Sequence, residues 1–336
     1  MELGLFLSWQ HPAEADPRRA AAESLEQVRL VRNAFRTVLV GQHFLSAPWQ
    51  MPQPIPWLAR IAAEAGEMRV GTGILLLTLL NPVEAAENLA TLDAITEGRL
   101  VVGLGQGYRG VEDRAFGVDS RGRAGVYEAK LEVLLRLLAG EEVTAAGHGY
   151  RLERARAGLL PVQRPRPPVW LGANRDAAVR RAARLADTWL VNPHSTLGEL
   201  ERLLAAFVDE RGERPAELPA VREVCVRRTD EEADAVARPF LERKYRSYVA
   251  WGQDEALPEE DTLRRNWEGL RRDRFVIGSP ETVAAELLEH ERRLGVTEVL
   301  CRVQWPGLPH EEALASLELL LRDVLPLLRR HGGDAA

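Results

Sequence analysis

Lysine is nearly missing from this chain. Lys130 and Lys244 are the only two, and neither follows a strand-like run. That argues against a Schiff-base aldolase, which places its lysine at the end of a strand. Histidine is sparse too. The seven residues show no HxH or HExxH spacing, so neither a His-rich metal hydrolase nor a metal site is expected. No GxSxG elbow is present. The two cysteines, Cys225 and Cys301, sit in β-branched runs. In a secreted protein they would suit a disulfide. In this company they read as small core residues of a reduced, cytoplasmic protein. The longest apolar run, Ile74–Leu80, falls far short of the ~20 residues a membrane span needs. The chain opens on GLFL with no basic region before it, so no signal peptide is expected. Basic charge is not in excess either. The formal net charge of −6 argues against a nucleic-acid or anionic-membrane partner.

What remains is a chain of 336 residues, 46% of them hydrophobic, long and apolar enough for one elaborated barrel. Short β-rich runs alternate with longer helical patterns. Strands are expected at Leu3–Leu7, Thr37–Gly41, Arg69–Leu77, Leu100–Leu104, Val169–Gly172, Thr188–Val191, Val221–Arg228 and Thr297–Val303. Several are apolar on both faces, as buried parallel strands must be. Helices are expected between them. Asp16-Pro17 and Asn81-Pro82 each offer an N-cap followed by proline at the first helical position. Tyr127, Leu131, Leu134, Leu135 and Leu138 follow the 3.6-residue period across Ala124–Ala139. Eight strands with interleaved helices predict a (β/α)₈ barrel rather than a doubly wound sheet. The barrel is expected as a single domain over 1–331, with inserts near 105–123, 140–167 and 245–280 and a frayed tail at 332–336. The closing helix, His310–Arg330, is expected to bend or stop near Pro326.

The chemistry of such a barrel lies at the carboxyl ends of its strands. There the sequence places Gly41-Gln42-His43, Gly103–Tyr108, Gly172-Ala173-Asn174-Arg175 and Asn192-Pro193-His194. The Gly172–Arg175 turn leaves a strand and opens a helix, which favours an anion such as phosphate, with Arg175 adding charge. On pattern alone an ordinary glycine turn capped by Asn174 is the simpler reading. His43 is either a structural group or a catalyst on spacing alone. Trp9, Trp49, Trp251 and Trp305 either line an apolar pocket or pack inserts onto the barrel. Few acid–base groups beside an apolar mouth suit chemistry carried by a bound cofactor.

Three blocks add to this. Arg69–Gly117 (RVGTGILLLTLLNPVEAAENLATLDAITEGRLVVGLGQGYRGVEDRAFG), Pro161–Trp189 and Phe275–Leu328 together resemble the bacterial luciferase-like flavin-dependent monooxygenase family, in order over nearly the whole chain. The resemblance implies a barrel, commonly dimeric, that uses reduced FMN with oxygen or a deazaflavin coenzyme. It implies a strand-three bulge at Gly73-Ile74 under the flavin ring, often with a cis peptide. Asn81 and Glu87 match positions near the ring and the ribityl chain. Gln106 stands where bacterial luciferase has an arginine that reaches the phosphate. Gly172, Ala173, Asn174 and Arg175 match the phosphate loop. Luciferase has two adjacent histidines where this chain has Gln42-His43, so light emission from a long aldehyde is not expected.

The function expected is a monooxygenase that takes reduced FMN and molecular oxygen and oxygenates a small organic substrate, with His43 or Gln42 hydrogen-bonding the oxygenated flavin or the substrate. No NAD(P)H-binding module is evident, so a separate flavin reductase would supply the reduced cofactor. Two alternatives stay open: a deazaflavin-dependent dehydrogenase or reductase, and a flavin-binding protein without turnover.

Overall fold

A computed structural model describes residues 1–333. Eight parallel strands close into a barrel: β1 (Glu2–Leu7), β2 (Thr37–Val40), β3 (Arg69–Thr72), β4 (Leu100–Gly105), β5 (Val169–Ala173), β6 (Thr188–Val191), β7 (Pro219–Val226) and β8 (Glu298–Arg302). Neighbours pair in chain order, and β8 returns to β1 with Cys301 beside Leu5. The long helices pack outside: α1 (Pro17–Val31), α2 (Pro54–Ala62), α3 (Pro82–Ile95), α4 (Arg123–Leu138), α5 (Asp176–Leu185), α6 (Leu197–Arg211), α7 (Asp230–Ala250), α8 (Pro280–Leu294) and α9 (His310–Leu319). This is the (β/α)₈ architecture that the alternating pattern predicts.

Strand alternation divides the core in two. Phe6, Leu39, Val101, Trp170, Leu190, Val221 and Leu300 point inward and fill the barrel. The opposite faces of the same strands meet the helices in a much larger cluster. A strand buried on both faces must be apolar throughout, which is why these segments are readable as runs. Fully burying each such leucine or valine contributes about 1.5–3 kcal/mol. Both proline-led helices begin as their sequence indicates: the side chains of Asp16 and Asn81 accept from the backbone N–H groups of Arg18 and Val83.

The structure differs from the expectation in four places. The expected strand Arg69–Leu77 stops at Thr72; a cis Gly73–Ile74 peptide, a two-residue strand and a 3₁₀ turn replace its second half. The insert 140–167 contains an antiparallel hairpin, Val143–Gly147 with Tyr150–Ala155. The insert 245–280 ends in a further strand, Phe275–Gly278, which pairs with the second half of β7. The closing helix widens to a π-turn over Leu320–Val324 just before Pro326, whose ring clashes with the carbonyl four residues back. The last helix runs to Gly333, and Asp334–Ala336, the rest of the expected tail, lie outside the described residues. Among the described residues no helix is long and apolar enough to cross a membrane, and no cluster suits a metal ion. Cys225 and Cys301 are buried and unpaired.

Candidate active site

A cavity of about 400 Å³ opens at the carboxyl ends of the strands. All eight barrel strands contribute a residue, or the turn after them, to its wall. Of the residues singled out from sequence, Gln42, His43, Gly73, Ile74, Gln106, Gly172, Ala173, Asn174 and Arg175 line it.

At the end of β2, His43 is fixed from outside. Its Nδ1 lies 3.0 Å from Glu112 Oε1, which also accepts the Phe44 N–H at 2.8 Å. Arg109 steadies the same carboxylate at 3.3 Å, donates to the carbonyls of Phe44 and Leu45, and stacks its guanidinium over Trp251. A carboxylate at Nδ1 selects the tautomer with its proton there, which leaves Nε2 as the acceptor. Gln42 is committed at both ends. Its Nε2 donates to Gln53 at 2.8 Å and its Oε1 accepts the Leu76 N–H at 2.8 Å. It therefore ties the β2 end to the segment after the cis peptide and acts as a positioning group.

Ile74 reaches across the mouth toward β4 and β5. A Cβ at Gly105 would lie 1.9 Å from Ile74 Cδ1, and one at Gly172 would lie 3.1 Å from its Cγ2. Glycine at both positions makes room for this side chain, which forms an apolar floor.

Beyond that floor, three polar atoms are buried without a hydrogen-bond partner among the described residues: Gln106 Oε1, Tyr127 Oη and Arg123 Nε. Such atoms cost free energy unless something pairs with them. Arg181, from α5, faces the same part of the cavity, hydrogen-bonds Glu128 and lies over the Tyr127 ring. Burial pushes the Tyr127 hydroxyl far above the ordinary phenol range, so it is a neutral donor. At the start of α5 the Ala178 and Val179 N–H groups bond the Arg175 carbonyl, so the N–H groups of Asp176 and Ala177 are the ones that the helix itself does not use. Arg123, Tyr127 and Arg181 lie on helices behind the strand ends, so strand-end reasoning missed them.

Arg175 is placed differently from its sequence reading. Its guanidinium donates to the carbonyls of Glu255, Ala256 and Leu257 and so clasps the insert to the barrel. Asn174 does not cap α5; Arg175 holds the N-cap position, with no side-chain bond. Asn81 and Glu87 are not brought to the cavity. Asn81 is spent on capping α3, and Glu87 faces the insert, where it accepts the Gly158 N–H at 2.9 Å. The tryptophans serve packing: Trp9 meets Trp57 edge-on, Trp49 lies under Arg243, and Trp251 supports Arg109 and His43.

The β6–β8 side carries a buried charged group that the sequence reading did not assemble. Glu223 Oε1 accepts from Lys244 at 2.7 Å and Arg302 at 3.0 Å, while its Oε2 accepts from Trp305 at 2.6 Å. Burial disfavours the Glu223 carboxylate, but the two cations outweigh it and hold its pKa below the usual range. Arg302 lies across the Phe6 ring. His194 is held neutral by burial and then by Arg302. The signal was there: Arg222, Glu223 and Arg302 interrupt otherwise apolar strands.

Known proteins resemble the chain throughout its length. It is 23% identical over 367 residues to the flavin-dependent trigonelline monooxygenase, oxygenase component, of Acinetobacter baylyi, covering 100% of this chain and 99% of that protein. Among solved structures, monooxygenase RslO1 from Streptomyces bottropensis superposes with a TM-score of 0.86 at 23% identity, covering 97% and 99% of the two chains. The oxygenating constituent of 3,6-diketocamphane monooxygenase from Pseudomonas putida, in complex with FMN, gives 0.77 at 18% identity, covering 97% and 98%. The coenzyme F420 dependent tetrahydromethanopterin reductase from Methanopyrus kandleri gives 0.71 at 20%, also covering 97% and 98%. The family described as luciferase-like monooxygenase matches residues 1–298, and the chain belongs to that family.

Proposed function

We propose that this protein is the oxygenase half of a two-component flavin monooxygenase: it takes reduced FMN from a separate reductase, together with oxygen, and oxygenates a small organic substrate. The observation that carries this reading is the joining, in one cavity, of an apolar floor at Ile74 to buried polar atoms without a partner among the described residues, Gln106 Oε1, Tyr127 Oη and Arg123 Nε, the other end of Arg123 being paired with Asp113. A flat apolar ring with an anionic tail fits both halves. The relatives support FMN in particular: one is named as a flavin-dependent oxygenase component and one structure holds FMN.

When bound, reduced FMN would supply the electrons that activate oxygen. The chain's own groups divide the remaining work. Tyr127, Arg123, Arg181 and the start of α5 would donate to the phosphate, and Gln106 would do so through its amide Nε2 and not through the unpaired Oε1. Ile74, resting over Gly105 and Gly172, would support the ring. Phe6, Leu76 and Leu171 would keep water out, which protects oxygenated species from premature decay. His43, oriented by Glu112, would accept or return a proton at Nε2.

The test is anaerobic titration of the full chain with reduced FMN and, separately, with a reduced deazaflavin, followed by admission of air. Tight FMN binding and reoxidation slower than that of free flavin are expected. Deazaflavin binding without FMN binding would replace this reading by hydride transfer without oxygen. Flavin binding with no effect on reoxidation, and no oxygen uptake across a broad substrate panel, would leave a carrier.

A further inference from the structure

The charges on the β8 side do not balance. Among the described residues, Lys244 and Arg302 have one ion-pair partner between them, the carboxylate of Glu223. Glu223 is fully buried, Lys244 is 1% exposed and Arg302 is 6% exposed, so water compensates little of the surplus cation. Burial and then Arg302 lower the Lys244 pKa from 10.5 to about 7, so near neutral pH the surplus is partial, and an incoming anion beside Arg302 would favour the charged lysine.

Arg302 is also the member of the trio that reaches the cavity wall. It lies flat on Phe6, 4.3 Å from the ring centre, and its buried Nε has no partner among the described residues. Gln10 and Tyr248 stand on the same wall, hydrogen-bonded to each other at 3.1 Å. They are neutral groups able to turn toward a ligand oxygen. In an eight-stranded barrel, strand eight lies opposite strand four. Arg302 therefore faces the phosphate-binding groups beyond β4 from across the mouth, and one anion cannot serve both. With one terminal nitrogen on Glu223 and Nε without a partner, the Arg302 guanidinium keeps a donor edge that suits a planar, two-oxygen acceptor.

We propose that the substrate is a small organic acid whose carboxylate is gripped by Arg302, with Gln10 and Tyr248 completing the contact. This rests on the cavity being the flavin oxygenase site. The acid anchors at the β8 wall, and its uncharged part lies toward His43 and the Ile74 floor.

The test is calorimetric titration of the full chain, with and without FMN, using benzoate and acetate against benzamide and acetamide. At least one acid should bind about tenfold more tightly than its amide. Arg302→Met should reduce that preference to about twofold or less while FMN affinity is unchanged. Arg302→Lys keeps a cation beside Glu223 but loses the planar fork, so it should weaken the preference about threefold or more. The lysine variant carries the test if the methionine variant does not fold. Equal binding of acids and amides, or a preference that survives substitution, overturns the proposal. With FMN binding intact, that result strikes this inference alone; loss of FMN binding by the unaltered chain strikes the flavin reading instead.

Discussion

At the scale of single residues, the proposed function assigns proton handling and cofactor holding to different side chains. His43 reaches the cavity with its Nδ1 anchored by Glu112, whose side chain is almost wholly buried. Removing the imidazole in His43→Leu should speed reoxidation of bound reduced flavin by about tenfold or more, with flavin affinity unchanged. Glu112→Gln, which keeps an acceptor for the Phe44 N–H, should have a smaller effect; stopped-flow absorbance measures both. The phosphate groups are tested by comparing FMN with riboflavin. Tyr127→Phe and Arg181→Met should each weaken FMN binding about tenfold, the cost of one hydrogen bond to a charged group, and leave riboflavin binding unaltered. A fluorescence titration that showed equal losses for both ligands would place these side chains away from the phosphate. Much of this wall was legible beforehand because strand ends are marked by glycine and polar residues after an apolar run, as at Gln42-His43 and Gly172–Arg175. Tyr127 and Arg181 were not, because they lie inside helices and read as members of an amphipathic face. Arg175 was legible as a residue but not as a contact: its three carbonyl partners come from an insert whose path the sequence does not specify.

At the scale of elements, legibility follows burial. The eight barrel strands are mostly apolar on both faces, Arg222, Glu223 and Arg302 among the exceptions, and stand out as runs. The hairpin Val143–Gly147 with Tyr150–Ala155 is mostly solvent-facing on both sides, so it lacks an alternating pattern. The Phe275–Gly278 strand is fully buried but short, and it follows an irregular stretch that masks it. Packing of β7 against α8 makes a pH-dependent contact. Arg222 Nε donates to His290 Nε2 at 2.7 Å, which only a neutral ring can accept. Burial and then Arg222 push the His290 pKa from 6.5 down to about 3. Between those values the unfolded chain binds a proton that the native chain refuses, so stability falls as pH drops through this window. Burial raises nearby Glu286 from 4.5 to about 7, and that group acts in the opposite sense between those two values. Below 4.5 Glu286 no longer opposes His290, and the carboxylates held low by their partners, such as Glu223, contribute equally to protein and variant. His290→Gln offers Arg222 an acceptor that does not titrate. From pH 4.5 to 3.5 the unaltered protein should lose about 1 kcal/mol more than this variant, measured by denaturant midpoints.

At the scale of the whole molecule, the two ends of the barrel have different duties. The amino-terminal end is plugged by Arg69, which donates to Thr37 at 3.0 Å, Glu217 at 3.0 Å and Glu298 at 2.7 Å, and lies over Trp170. Arg36 pairs with Glu217 at the same end. The cavity lies at the other end, so the plug and the site share the strands but no side chain. Arg69→Met should therefore cost about 2–3 kcal/mol of stability at pH 8, less than the loss of one partner from a fully buried pair, because Arg69 is partly exposed. FMN affinity and reoxidation rate should stay as they are. The size of the loss depends on pH in a direction that identifies its cause. Burial already raises the pKa of Glu298, and Arg69 opposes that rise. Without Arg69 the native carboxyl holds its proton to higher pH than the unfolded chain does. The native state then binds the extra proton, so the variant's stability falls as pH rises through that range and its deficit is smaller at pH 5 than at pH 8. Urea unfolding at the two pH values measures this. A deficit that is equal at both would assign the loss to the packing of Arg69 on Trp170 rather than to the stranded Glu298, and a parallel loss of flavin binding would mean that the plug also shapes the mouth.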